Sequence, residues 1–309
     1  MRRRDFLAAG LAIPGLLPGR VAFAADNPLV DAPGGGYVCR TRVAPPVFPR
    51  GPGDLSYQGT HILAQGALRE LAEVYRGPAG GRLHVAGGGC DDGIAGVLRM
   101  QVDLGGMCCP VEKSRAVGLP WYLVARDIKV VIAHPANPVT DIGFDELAAA
   151  AAGRISRWRE LGGEDRAIAL VVRNHCPDYL EPVRDLLLNN KPDWSPKGLF
   201  VERDEQIVEA VARYPGSLGL VSWVFAKPLV ETGKLKMLKV DGVRADARAV
   251  RAGSYRLHGP LNVIFARWLP KTMRPFFDFL YSARGLKIMN RVLVPVSAEE
   301  ADYRPGRWA

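Results

Sequence analysis

Residues 83 to 94 read Leu-His-Val-Ala-Gly-Gly-Gly-Cys-Asp-Asp-Gly-Ile. Leu83 to Ala86 suit a strand, the triplet Gly87-Gly88-Gly89 turns the chain, and from Gly93 to Met100 apolar residues return at helical spacing. A strand that turns through glycine into a helix brings unpaired backbone N–H groups and the positive end of the helix dipole to one point, an arrangement suited to an anion. The triplet alone is a weak signal, because any tight strand-to-helix turn uses glycine. Its weight comes from what lies on either side.

Upstream, Ile62 to Tyr75 spaces its apolar residues by three and four, with Leu68, Leu71 and Ala72 on one face, which predicts a helix. Downstream, Asp127 to Ala133 contains the β-branched run Ile128, Val130, Val131, Ile132, is closed by His134-Pro135, and reads as a buried strand. Phe144 to Ala152 and Gln206 to Tyr214 read as helices, and Pro275 to Met289 as an amphipathic helix. Ile168 to Val172, Leu218 to Val221, Lys236 to Val240 and Asn262 to Phe265 read as strands. Strand and helix alternating along the chain predict α/β architecture. The 309 residues, 48% hydrophobic and 24% charged, suffice for two domains, each with its own core. The formal charge of +9 comes from scattered Lys and Arg rather than a stripe, which argues against a nucleic-acid face. No Ser–His–Asp elbow, zinc-protease helix or nucleotide loop is present, so the sequence gives no reason to expect an enzyme.

The first residues have a different purpose. Arg2-Arg3-Arg4 precedes Asp5-Phe6-Leu7, an apolar run from Leu7 to Leu17, and Ala22-Phe23-Ala24. A charged start, a short apolar core and a small-x-small site predict a removable export signal over residues 1–24, cleaved near Ala24 and too short to span a bilayer. Arg3-Arg4-Asp5-Phe6-Leu7 fits a twin-arginine signal; a general secretion signal that opens on arginines is the alternative. Residues 25–53, with Pro33-Gly34-Gly35-Gly36 and Pro45-Pro46, read as a flexible leader, and Cys39 within it lacks a lipid-anchor context. The expected location is the periplasm.

Several blocks then line up with one family. After Gly87-Gly88-Gly89, Gly93-Ile94 and Asp103-Leu104-Gly105 come Asn137-Pro138-Val139-Thr140, Phe144-Asp145-Glu146-Leu147, Trp158 and Leu161-Gly162-Gly163. Pro215-Gly216-Ser217-Leu218-Gly219, Val240-Asp241-Gly242-Val243, Phe276-Phe277-Asp278-Phe279-Leu280 and Val294-Pro295-Val296 follow in order. Over roughly Leu55 to Val296 the chain resembles the phosphate-binding proteins of ABC transporters. The resemblance implies a two-lobed type II periplasmic-binding-protein fold with a hinge and a central ligand cleft. One lobe would comprise residues 54–126 with 238–309, the other 127–237, with crossings near Ala125 to Lys129 and Lys236 to Val240. It also implies a monomer that takes a small inorganic ligand, has a membrane ABC permease or a sensor kinase as partner, and binds no nucleic acid.

The ligand loops depart from the pattern. The family holds phosphate with hydroxyls, backbone N–H groups, an arginine and an aspartate. Gly59-Thr60-His61 keeps one hydroxyl, at Thr60, and Gly88 and Gly89 keep the turn. Cys90 stands where the family has serine, Asp91-Asp92 follow it, and Cys108-Cys109 replace a serine–arginine pair. The last loop, an arginine followed by Ser-Gly-Thr in the family, reads Arg173-Asn174-His175-Cys176-Pro177-Asp178. Arg173 matches the family's arginine, while Arg115 is only nearby. A thiol is a poorer donor than a hydroxyl, and two carboxylates oppose an anion.

Three readings of these cysteines stay open. They are small buried hydrophobes, or a disulfide such as Cys90 to Cys176, or a thiolate site. The third is expected, because four of the five cysteines fall in loops that the fold should bring to one cleft. Cys90, Cys108, Cys109 and Cys176, with His175 as a nitrogen donor, would hold a soft metal, a metalloid such as arsenous acid, or an iron–sulfur cluster. The expected function is a solute-binding protein presenting that ligand to a membrane transporter or sensor. The alternatives are a phosphate or oxyanion component of an ABC transporter and a cofactor-bearing periplasmic redox protein.

Overall fold

The computed structural model describes residues 46–304 apart from 175, 177, 178 and 267–269. The expected signal, most of the leader with Cys39, and His175 therefore lie outside the described residues. In chain order the strands are β1 (Leu55–Thr60), β2 (Leu83–Gly88), β3 (Leu104–Met107), β4 (Trp121–Ala133), β5 (Asp141–Ile142), β6 (Ala169–Val172), β7 (Leu199–Phe200), β8 (Ser217–Ser222), β9 (Lys236–Met237), β10 (Lys239–Val240), β11 (His258–Phe265) and β12 (Val294–Pro295).

Across the main sheet the order is β2-β1-β3-β11-β4-β8-β6-β7, with β9 and β12 also paired to β4 and the short β5 and β10 paired apart. β1 runs parallel to β2 and β3, and β11 antiparallel to β3 and β4. On the other side β8 is antiparallel to β4, and β6 is parallel to β8 and β7. β4 belongs to both halves: its residues up to Ile128 pair with β11, and Lys129–Ala133 pair with β8. The molecule is α/β and two-lobed, with β2-β1-β3-β11 on one side of β4 and β8-β6-β7 on the other.

The sequence predicts strand only from Asp127, yet β4 begins at Trp121. Its first half alternates partly buried and buried residues, while from Asp127 onward every position is buried. A strand covered on both faces reads as a continuous apolar run, and one covered on a single face does not. The helix expected from Gly93 starts earlier, at Cys90, and ends at Leu98. Gly89 is its cap, and the Asp92 carboxylate accepts the Gly89 N–H at 2.7 Å, which nucleates the first turn.

Glycines set how closely that helix approaches the sheet. A Cβ at Gly93 would come within 2.8 Å of the Gln58 carbonyl oxygen and 2.9 Å of the Gly106 nitrogen, so the helix rests on the bare backbone of β1 and β3. Gly59, at φ +148°, permits a similar approach, since a Cβ there would lie 2.3 Å from the Gly106 nitrogen. This contact puts Cys90, the first residue of the helix, beside Cys108, the residue after β3. In the other lobe Trp158 is fully buried and donates its indole N–H to the Gly216 carbonyl at 2.9 Å. Among the described residues no helix is long and apolar enough to cross a membrane.

Gly93→Ala is expected to lever the helix away from β1 and β3 and lower stability by about 1–3 kcal/mol in urea unfolding. An unchanged midpoint would show that the helix can retreat without loss.

Candidate ligand site

Four sulfur atoms meet at the point these contacts define. Cys90 opens its helix, Cys108 and Cys109 follow β3, and Cys176 lies in the loop after β6. Their Sγ atoms all lie within 4.8 Å of one another. Cys90 Sγ is 3.4 Å from Cys108 Sγ and 3.6 Å from Cys176 Sγ. All four are thiols; Cys90, Cys109 and Cys176 are buried and Cys108 is partly so. The Cys108 backbone N–H donates to Cys90 Sγ at 3.3 Å. Ile94, Val97, Val102, Met107 and Ile264 form the apolar surround. Three of the thiols come from beside β2 and β3, on one side of β4, and Cys176 follows β6 on the other side.

The loop carrying Cys176 is held from behind. Arg184, buried in the Pro182–Leu188 helix, donates through Nη2 to the carbonyl oxygens of Cys176 at 3.1 Å and Tyr179 at 2.6 Å. Glu181 caps the same helix by accepting the Arg184 N–H at 2.6 Å. In front, the Tyr179 hydroxyl donates to Asp91 Oδ1, and Arg115 Nη1 donates to Asp91 Oδ2 at 3.1 Å. The Arg115 guanidinium also lies 5.8 Å from the centre of the Tyr179 ring. Asp91 and Asp92, which the sequence sets as negative charges facing a ligand, thus have internal tasks. Asp91 takes Tyr179 and Arg115, and Asp92 caps its own helix.

The remaining expected ligand groups lie at or beside the ends of neighbouring strands. Thr60 ends β1 and is buried; Gly88 ends β2 directly opposite it. Gly89, read from the sequence as a donor to an anion, gives its N–H to Asp92. Gly87 makes room for a ring, because a Cβ there would sit 2.2 Å from His61 Nδ1. That Nδ1 is buried without a hydrogen-bond partner among the described residues. Burial first, and then the charge of Arg173, hold the His61 pKa below the ordinary value, so the imidazole favours its neutral form. Arg173 pairs with the buried Asp204 at 2.7 Å, Nη1 to Oδ2. Lys129 Nζ lies 2.9 Å from Asp127 Oδ2, and Ser222 donates its hydroxyl to Asp127 Oδ1 at 2.5 Å. Burial opposes the Lys129 ammonium, but Asp127, Asp204, Glu181 and Cys108 outweigh it and raise its pKa, which keeps it charged.

Chemically the cluster is an all-sulfur donor set in an apolar surround. The hydrogen bond from Cys108, ahead of burial, pushes the Cys109 thiol up to about 12, although its bonds with Cys176 and Cys90 pull the other way. Cys109 is therefore protonated at neutral pH, and an ion binding there must displace its proton. Sequence reasoning missed Tyr179, Arg184 and Lys129 as residues of this region. Lys129 left a signal, since a lysine two residues from an aspartate inside a β-branched run is rarely buried unless paired. Tyr179 left none, because its partner Asp91 lies in the other lobe; Arg184 serves backbone carbonyls, which no sequence pattern marks.

With this geometry in hand, comparison places the chain in a family. The PBP superfamily domain matches residues 55–284, and the chain belongs to that superfamily. It is similar to the phosphate-binding protein PstS of Bacillus subtilis, 26% identical over 236 residues, which cover 74% of this chain and 76% of that one. It is also similar to PstS of Borreliella burgdorferi, 25% identical over 179 residues, covering 56% of this chain and 64% of the relative. Among solved structures, a Clostridium perfringens substrate-binding protein with bound phosphate superposes with a TM-score of 0.69 at 21% identity, covering 79% of this chain and all of that one. An ABC-type phosphate transport receptor from Vibrio cholerae gives 0.61 at 19% identity, with 79% and 100% covered. These structures share the fold.

In the reduced full chain at pH 8, iodoacetamide is expected to modify Cys108 at least about tenfold faster than Cys90, Cys109 or Cys176, as followed by peptide mass spectrometry. Equal rates at all four would contradict the buried cluster.

Proposed function

We propose that the chain is an extracytoplasmic solute-binding protein that holds a small inorganic ligand between its lobes and presents it to a membrane ABC permease. The observation that carries this reading is the match to the PBP superfamily over most of the folded chain, on a fold whose loops converge from both lobes. The relatives are named phosphate-binding proteins, which makes an oxyanion such as phosphate the first ligand class. Thr60, Arg173 and Lys129 are the groups that would receive it. Export through the arginine-led signal, cleavage near Ala24, a periplasmic location, action as a monomer and a sensor kinase as a second kind of partner belong to the same proposal. So does the division into lobes at residues 127 and 238.

A second reading has one specific observation in its favour, the four converging thiols, which suit a thiophilic ion better than phosphate. A redox protein carrying an iron–sulfur cluster is less well supported. A four-iron cluster puts each thiolate on its own iron and a two-iron cluster divides the four between two irons, whereas the sulfurs here are spaced for a single ion.

Calorimetric titration of the reduced full chain with phosphate tests the first reading. Binding that Arg173→Ala weakens at least about tenfold, while Cys-to-Ser changes leave it intact, is the expected outcome. The absence of any phosphate binding in folded, reduced protein would remove the oxyanion from the proposal.

A further inference from the structure

Core cysteines scattered for packing would have no reason to direct four sulfur atoms at one another from three separate segments. We infer that Cys90, Cys108, Cys109 and Cys176 form one tetrahedral site for a single soft cation of the zinc(II) class, and that filling it locks the two lobes together. The inference deepens the solute-binding reading and rests on it for the meaning of closure.

The spacing is the first argument. A metal–sulfur bond of about 2.3 Å gives a tetrahedron whose sulfur–sulfur edges are about 3.8 Å. The 3.4 and 3.6 Å separations from Cys90, and the 4.8 Å limit on all of them, surround that value. The arrangement is therefore that of closed lobes, in which small side-chain rotations suffice to take an ion; without an ion the lobes can part in solution, so binding should contract the chain. Donor chemistry is the second. Four sulfurs with no carboxylate among them exclude hard cations such as magnesium or calcium by preference. With four sulfurs the ion's tetrahedral positions are all taken, as in a closed zinc site.

Charge is the third. Four thiolates around a divalent cation carry a net charge of about −2, and each thiol that becomes a ligand releases its proton to solvent. The Cys108 N–H already donates to Cys90 Sγ, the kind of hydrogen bond that steadies a thiolate ligand. The fourth argument is placement. Three ligands belong to one lobe and the fourth to the other, so an ion with four bonds must tie the lobes. Arg184 prepares this by fixing the carbonyls on either side of the Cys176 turn.

The test uses the full chain, reduced and handled without oxygen, and cobalt(II) as a spectroscopic probe followed by zinc(II). One equivalent of cobalt(II) per chain should give intense thiolate-to-metal charge transfer with the visible bands of tetrahedral cobalt, and zinc(II) should abolish both. Zinc(II) should lower the radius of gyration in X-ray scattering. Cys176→Ser should weaken zinc(II) binding by about 10–100-fold or more and remove the contraction; Cys39→Ser should change neither. Retained affinity and contraction in a folded Cys176→Ser chain would overturn the inference. So would a missing cobalt–thiolate band in fully reduced protein, or a Cys90–Cys176 disulfide that survives mild reductant. Contraction with phosphate but no cation binding would overturn this inference and leave the solute-binding reading standing. No contraction with either would sink both.

Discussion

The sharing of β4 between two sets of partners is the constraint from which the ligand region follows. Up to Ile128 it pairs with β11, and from Lys129 it pairs with β8, so one strand anchors both lobes. At the point of exchange the strand carries Asp127 and Lys129, both buried and paired, with Ser222 on the aspartate. The Lys129 backbone is secured on both sides: its carbonyl accepts the Tyr255 hydroxyl at 2.7 Å, and its N–H donates to the Leu257 carbonyl at 2.9 Å. Removing one member of such a buried pair typically costs about 3–5 kcal/mol, because the other charge is stranded. With the lobes hung from this strand, the carboxyl ends of β1, β2, β3 and β6 deliver Thr60, Gly89, Cys108 and Arg173. Open α/β sheets bind ligands at such ends.

What arrives at those ends differs from an anion cradle. The start of the Cys90–Leu98 helix offers donors, but Asp92 takes the Gly89 N–H, and Asp91 faces Tyr179 and Arg115. Two internal carboxylates therefore use the positive features that a bound oxyanion would use. The cations Arg173 and Lys129 have their own carboxylates, Asp204 and Asp127. Set among these paired charges is a pocket of sulfur. The superfamily's fold is retained, and the side chains gathered at these strand ends include four thiols.

Much of the scaffold was legible in the sequence, because alternating strand and helix periods are local. The strand into Gly87-Gly88-Gly89 and the buried run after Asp127 were read correctly in kind. The first half of β4 escaped because only one of its faces is buried. The glycine triplet was legible as a turn but not in its tasks: Gly87 yields space to His61, Gly88 pairs with Thr60, and Gly89 binds Asp92. The cysteines at 90, 108, 109 and 176 form no spacing motif, and only the resemblance to a fold suggested that they meet. Tyr179 was not legible at all, because its hydrogen bond crosses between lobes to a residue far away in the chain.

X-ray absorption at the zinc edge, on reduced full chain loaded with one equivalent of zinc(II), tests the central claim most directly. The proposed site requires four sulfur neighbours at about 2.3 Å. A nearest shell dominated by oxygen or nitrogen at about 2.0–2.2 Å would place the ion elsewhere and contradict the assembly of these four thiols into one site.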